Sequence, residues 1–252
     1  MTQSNKFLII MPAYNVEKWV KLNIAMTMHQ SYKNFRCIII DDGSTDNTQE
    51  VVNTAIAGDA RFSYTRNKKR SGSSLQNYYN AFQSAKPDPN EIVIWLDGDD
   101  WFSSVFALAY LDSIYNVTDC WMTYGTYQIY PSGQDGSHQC IELPEWVHQN
   151  HDYRNFAHVY SHLRTHRAFL FSKLEKQDLL DSRTGKFYTE ATDVAYLFSL
   201  AEMCGCKEKI ERIPDILLIL NRDNPNQAAG NLEKQKATEA HIRNQKTHER
   251  IL

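Results

Sequence analysis

Apolar residues along the first hundred positions come in short unbroken runs separated by amphipathic stretches. Residues 7–11 are continuously apolar and end at Pro12, and Val16, Val20, Ile24 and Met28 follow at helical spacing. Residues 35–40 form a second run, broken by Asp41-Asp42-Gly43-Ser44. Asp46 then stands where an N-cap belongs, ahead of a helix carrying Val51, Val52, Ala55 and Ile56. A short strand over 62–65, a helix over 71–85 opened by Gly-Ser-Ser, and a breaker cluster at 86–90 lead to a strand ending at Leu96. Short strands apolar on both faces, alternating with helices, predict an α/β fold with a mostly parallel sheet covered on both sides. Such sheets bind ligands outside the carboxyl ends of their strands. Those ends carry residues 12–15, 41–44, 67–72 and 97–100.

The last of these is the densest in charge. Trp-Leu-Asp-Gly-Asp-Asp-Trp, residues 95–101, places Asp97, Asp99 and Asp100 directly after an apolar strand, where like charges repel unless a cation lies between them. Mg²⁺ or Mn²⁺ suits such an oxygen-rich site and is usually held by one or two carboxylates plus a substrate's phosphates. The competing reading is a solvated polar turn in which one acid caps the next helix.

Beyond Trp101 the pattern loosens. A helix is expected over 103–115 and an aromatic strand over 120–130, followed by a loop without clear period over 131–149. Residues 168–171 are a short apolar run, 192–203 read as a helix with Asp193 at its start, and 213–220 are a last apolar run interrupted by Pro214. Residues 227–252 are polar and expected to form a solvated helical tail on a body spanning 1–226, itself divided at 102. His158, His162 and His166 have the spacing of one helical face, without an evident acid to complete a metal site.

Composition narrows the function. With 252 residues, 42% of them hydrophobic, the chain has enough apolar material for one large domain. A net charge of -3 leaves no basic footprint for nucleic acid. Cys37, Cys120, Cys140, Cys204 and Cys206 lack the paired spacing of a zinc site or disulfide framework. No apolar run approaches the roughly 20 residues of a membrane span, so a cytoplasmic protein is expected, with peripheral membrane contact left open.

Three segments, FLIIMPAYN at 7–15, CIIIDDGSTDNT at 37–48 and IVIWLDGDDWF at 92–102, resemble in sequence, order and separation the family-2 glycosyltransferases of GT-A fold. The resemblance covers most of the first half. It implies a three-layer, Rossmann-like architecture with a nucleotide-binding half over 1–102 and an acceptor-binding half over 103–226. It also implies a nucleotide-sugar donor, preferably a UDP-sugar, with Mn²⁺ or Mg²⁺, and inverting transfer to a hydroxyl of a glycan or glycolipid. Carried over by position, Pro12, Ala13 and Tyr14 cup the base, with Asn15 and Glu17 beside them. Asp42 reads the base edge while Asp41 supports the turn, and Asn67 and Arg70 contact base or phosphate. Asp97 touches the ribose and Asp99 holds the metal, with Asp100 as the alternative ligand. Asp193 matches the catalytic base. Many relatives carry Glu-Asp there, whereas Thr192 precedes Asp193 in this chain, which makes Glu190 a rival. His166, Arg167 and Arg222 are candidates for acceptor or phosphate contacts, and Trp101, Trp121 and Trp146 for stacking on sugars. The readings to be separated from this one are an Asp-x-Asp phosphohydrolase, a nucleotidyltransferase and a non-catalytic nucleotide- or carbohydrate-binding module.

Overall fold

The computed structural model describes residues 4–225 and 232–251. In chain order the elements are β1 (Phe7–Ala13), α1 (Val20–Met28), β2 (Phe35–Asp41), α2 (Thr48–Ile56), β3 (Phe62–Arg66), α3 (Ser74–Ala85), β4 (Ile92–Trp95), β5 (Trp101–Phe102) and α4 (Ala107–Thr118). They continue with β6 (Met122–Tyr130), α5 (Glu145–Asn150), β7 (Thr165–Arg167), α6 (Ala168–Ser172), the hairpin β8 (Leu180–Asp181) and β9 (Lys186–Phe187), α7 (Val194–Cys204), β10 (Ile210–Asn221) and α8 (Leu232–Arg243). The expected boundary at residues 226–227 lies outside the described residues.

Eight strands form one sheet in the order β3-β2-β1-β4-β7-β6-β10-β5. β3, β2, β1 and β4 are mutually parallel, β10 is parallel to β6, and β7 is antiparallel to both β4 and β6. Alternate residues of each central strand feed different cores, as a pleat requires. Leu8, Ile10, Val93 and Trp95 pack on one face, and Phe7, Ile9, Met11, Ile92, Ile94 and Leu96 on the other. Burial on both faces explains why these strands read as unbroken apolar runs.

β7 has a consequence for function. Thr165 pairs with Ile94 and Arg167 with Ile92, so β7 enters the sheet at the edge where β4 leaves it. The residues preceding β7 therefore stand at the same rim as the residues following β4. β10 brings a third contribution. It pairs antiparallel with β5 through Leu218 with Phe102 and Ile219 with Trp101, and its exit delivers 221–224 beside the acidic turn.

Several local expectations need correction. The apolar run at 168–171, left without an assigned element, forms most of the short helix α6. Asn47, not Asp46, is the residue preceding α2; its side chain makes no cap bond, while Asp46 from one position earlier accepts from the Thr48 N–H at 3.0 Å. His158 and His162 lie outside any helix and His166 sits on β7, so no helical face unites them. α8, exposed or half-buried along most of its length, is held to the body through buried Thr238 and Ile242 and through the Arg243 guanidinium, which donates to the carbonyls of Arg154 and Phe156. Among the described residues no helix is long and apolar enough to cross a membrane.

Candidate functional site

The acidic turn after β4 is built, not solvated. Gly98 donates its N–H to the Pro12 carbonyl at 2.9 Å, and a Cβ there would lie 3.0 Å from both the Pro12 oxygen and the Ala13 Cβ. Only glycine lets the turns after β1 and β4 approach this closely. Each aspartate has its own anchor. Trp95 Nε1 donates to Asp97 at 2.8 Å, Asn224 Nδ2 to Asp99 at 2.8 Å, and the Asn221 N–H to Asp100 at 2.8 Å. Trp95 is fixed in turn by stacking on Tyr78 and Tyr196, with centroids 4.6 and 5.7 Å away. Asp99 is 8% and Asp100 1% exposed, which excludes the solvated turn, and α4 has no side-chain cap. Burial and the Asp99 charge push the Asp97 carboxyl up to about 6, and burial with the same neighbouring charges pushes Asp100 well above the usual carboxylate range.

The turn after β2 supports a second wall. Asp41 Oδ1 accepts from the Ser44 N–H at 2.7 Å and its Oδ2 from Tyr64 at 2.7 Å, so it braces the turn as expected. Asp42 collects the loop after β3: its Oδ1 accepts from Asn67 Nδ2 and the Ser71 N–H, both at 2.8 Å, and its Oδ2 from the Gly72 N–H at 2.9 Å. Burial opposes its charge, but these donors outweigh burial and lower its pKa. Arg70, carried on that loop, lies over the Tyr14 ring at 3.6 Å from the centroid. The wall thus offers a flat cation–π pair beside a carboxylate.

The opposing wall is the start of α7. Asp193 Oδ1 accepts from the Val194 N–H at 2.9 Å, and Oδ2 takes a 2.9 Å ion pair from Arg164, which lies just before β7. Burial works against the Asp193 charge, yet the Arg164 guanidinium holds its pKa at about 2. Both histidines are pushed below their usual pKa, chiefly by burial, and so are neutral at neutral pH. Glu190 also faces the cavity, with Lys234 3.0 Å from its Oε1.

All three walls enclose one open cavity of about 510 Å³. Of the residues singled out in the sequence, Pro12, Ala13, Tyr14, Asp42, Arg70, Asp97, Asp99 and Asp193 line it, as do Asp100, Glu190 and Arg222. Glu17 and Asn67 do not. Glu17 accepts from the Asn47 N–H at 2.8 Å, tying the turn after β1 to α2, and Asn67 supports Asp42 from behind. His166 is buried against the Tyr78 hydroxyl at 2.8 Å, and Arg167 donates to the Cys120 carbonyl. Trp101, Trp121 and Trp146 instead pack edge-on against Tyr130, Phe169 and Phe156, away from the cavity.

Other lining residues were not read from the sequence as part of this site, His158 and His162 having been considered only as a separate helical face. Asn77, His158, His162, Arg164, Gln235 and Glu239 belong here. No local motif marks Arg164; its signal was topological, since a strand running against its neighbours presents its leading residues, not its trailing ones, at the ligand edge.

Among the described residues no group of three or more His, Cys, Asp or Glu is arranged to hold a metal by itself. The donor set nevertheless fits a cation shared with phosphates. Three carboxylates crowd one wall, two of them raised in pKa by burial and then by their neighbours' charges, and Asp99 is the lining acid between the other two.

Known proteins resemble this chain in sequence and in fold. A curated relative from Haemophilus influenzae (strain Rd), an uncharacterized glycosyltransferase, is 33% identical over 96 residues, covering 38% of this chain and 37% of its own length. The S. aureus TarS 1-349 structure in complex with UDP has a TM-score of 0.64 at 18% identity, covering 86% of this chain and 60% of that one. Glucosyl-3-phosphoglycerate synthase from Mycobacterium tuberculosis, in complex with Mn²⁺, UDP and phosphoglyceric acid, has a TM-score of 0.63 at 12% identity, covering 95% and 78%. These likenesses show the GT-A fold. The family model described as glycosyl transferase family 2 matches residues 8–171, from the first strand through the acidic turn to α6, and the chain belongs to that family.

Proposed function

We propose that this chain is a metal-dependent, inverting glycosyltransferase that moves a sugar from a UDP-sugar to a hydroxyl of a glycan or glycolipid acceptor. The observation that carries this reading is the placement of Asp193 in the same cavity as Asp97, Asp99 and Asp100, with the Tyr14–Arg70 pair and Asp42 along its side. One carboxylate stands apart from the cluster that would hold the diphosphate, as displacement from the opposite face of a sugar requires.

In this reading the base lies against Pro12, Ala13 and Tyr14 near Asp42 and Arg70, the ribose against Asp97, and the diphosphate beside Asp99. A divalent cation, Mn²⁺ or Mg²⁺, held by Asp99 and the diphosphate, supplies charge neutralisation of the leaving group. Asp193 accepts the proton of the acceptor hydroxyl as its oxygen bonds to the anomeric carbon and the bond from that carbon to the diphosphate oxygen breaks, releasing UDP. Asp193 is preferred to Glu190 because Arg164 fixes its carboxylate from within the fold, whereas Glu190 is engaged by Lys234 from α8. The UDP and Mn²⁺ in the solved structures of similar fold support the choice of donor and metal.

The matched segment spans well under two thirds of the first curated relatives, so the assay addresses this chain directly. Incubation with a panel of UDP- and GDP-sugars, with and without Mn²⁺, should release UDP in the presence of Mn²⁺ and an added saccharide acceptor. Phosphate release from simple esters would point to a phosphohydrolase, and nucleotide binding without turnover to a binding module.

A further inference from the structure

Arg164 is the buried cation of a pocket rich in acids. Its side chain is 7% exposed, and it is anchored by the strand that follows: Thr165 on β7 meets both Tyr115 and Thr123 at 2.7 Å. From there its Nη1 reaches Asp193 at 2.9 Å, and it also acts electrostatically on Asp97 and Asp100. Its Nε is buried and has no hydrogen-bond partner among the described residues. A buried ion pair is not by itself a source of stability, because apolar residues of the same volume usually serve as well. A pair that opens onto a cavity and leaves one donor unused is poorly explained by packing.

The surroundings show what the pair does. His158 and His162 face Asp193 from the segment before Arg164, Asp97 from the turn after β4, and Tyr196 from α7. Glu190 on the approach to α7, Glu239 on α8 and Arg222 after β10 line the same cavity. The histidines are neutral and Asp97 opposes a second negative charge, so burial alone would push Asp193 toward its protonated form, which cannot accept a proton. Arg164 is the cation in hydrogen-bond contact with it.

We propose that Arg164 is a positioning residue for the reaction: it fixes one oxygen of Asp193 and balances its charge, so that an acceptor hydroxyl entering the cavity meets an ionised, oriented carboxylate. This inference rests on the transferase reading above. The cost is basicity, since the same pair that keeps Asp193 charged makes it a weaker base. The arrangement therefore suits a step in which the proton leaves late, after the bond to the diphosphate has begun to break.

The test compares Arg164→Gln and Arg164→Lys with the parent enzyme, measuring kcat at saturating donor and Mn²⁺ across pH and the affinity for UDP with Mn²⁺. Arg164→Gln should lower kcat at neutral pH about 100-fold and move the acid limb of kcat upward by one or more pH units, with UDP affinity within about threefold. Arg164→Lys should keep the acid limb near that of the parent and recover part of kcat. In the unaltered protein, ¹³C-labelled aspartate should show the Asp193 carboxylate ionised from about pH 7 to about pH 4.5, whether or not either variant folds. An Arg164→Gln enzyme with the parent's kcat and acid limb, or an Asp193 titration above the usual carboxylate range, would overturn the inference while leaving the transferase reading intact. Absence of UDP release by the parent with every donor would instead remove the reading on which it rests.

Discussion

Asp97 and Asp193 face one cavity, both only partly exposed, and their carboxyls are driven in opposite directions. Asp97 rises to about 6 under burial and the charge of Asp99, whereas Asp193 falls to about 2 because the Arg164 guanidinium offsets its burial. Burial is common to both, so the partner decides. A carboxylate among carboxylates waits for a cation, and a carboxylate already paired with a guanidinium does not. Divergent environments around two acids are a physical signature of divided roles, charge-bearing on one side and proton-accepting on the other.

The largest expected effect lies on the Asp193 side. Asp193→Asn should lower kcat by about 10³-fold while leaving Mn²⁺-dependent UDP affinity within about threefold, measured by UDP release and calorimetry. Glu190→Gln should cost less than about tenfold in kcat; a loss as large as that from Asp193→Asn would make Glu190 the base and break the comparison. On the other side, Asp99→Asn should weaken Mn²⁺-dependent UDP binding by about 10- to 100-fold and lower turnover with it. The smallest effect is on stability. Because the folded pKa of Asp97 is raised above its unfolded value, its ionised form destabilises the ligand-free protein above about pH 6, and that penalty disappears below about pH 4. Asp97→Asn should therefore raise unfolding free energy at pH 7 by about 1–3 kcal/mol in urea titrations without nucleotide, the gain shrinking as pH falls through 6.

How much of this was legible in the sequence follows the same division. β1, β2 and β4 are unbroken apolar runs cut off by Pro12, Asp41-Asp42-Gly43 and Asp97-Gly98, so both the strands and the turns that form the donor wall could be read directly. Position in a turn does not separate a lining side chain from one that braces it, and Glu17 and Asn67 were placed one layer too far forward for that reason. The acceptor wall was harder. Residues 151–164 have no period, so neither Arg164 nor the true setting of His158 and His162 could be inferred locally. α6 has five residues, too short for apolar spacing to distinguish helix from strand. α8 looked like a solvated tail because only Thr238 and Ile242 along it are buried, yet it carries Gln235 and Glu239 to the cavity.

The central claim is that the acids after β4 and the acid before α7 serve a single bound nucleotide sugar. A crystal structure of the Asp193→Asn protein soaked with a UDP-sugar and Mn²⁺, using anomalous scattering to locate the metal, tests it most directly. The account predicts Mn²⁺ at about 2.0–2.3 Å from an Asp99 oxygen and from the diphosphate, the base against Tyr14 and Asp42, and residue 193 on the sugar face opposite the leaving group. Mn²⁺ bound away from Asp99, or a sugar whose anomeric carbon turns its open face away from residue 193, would contradict it.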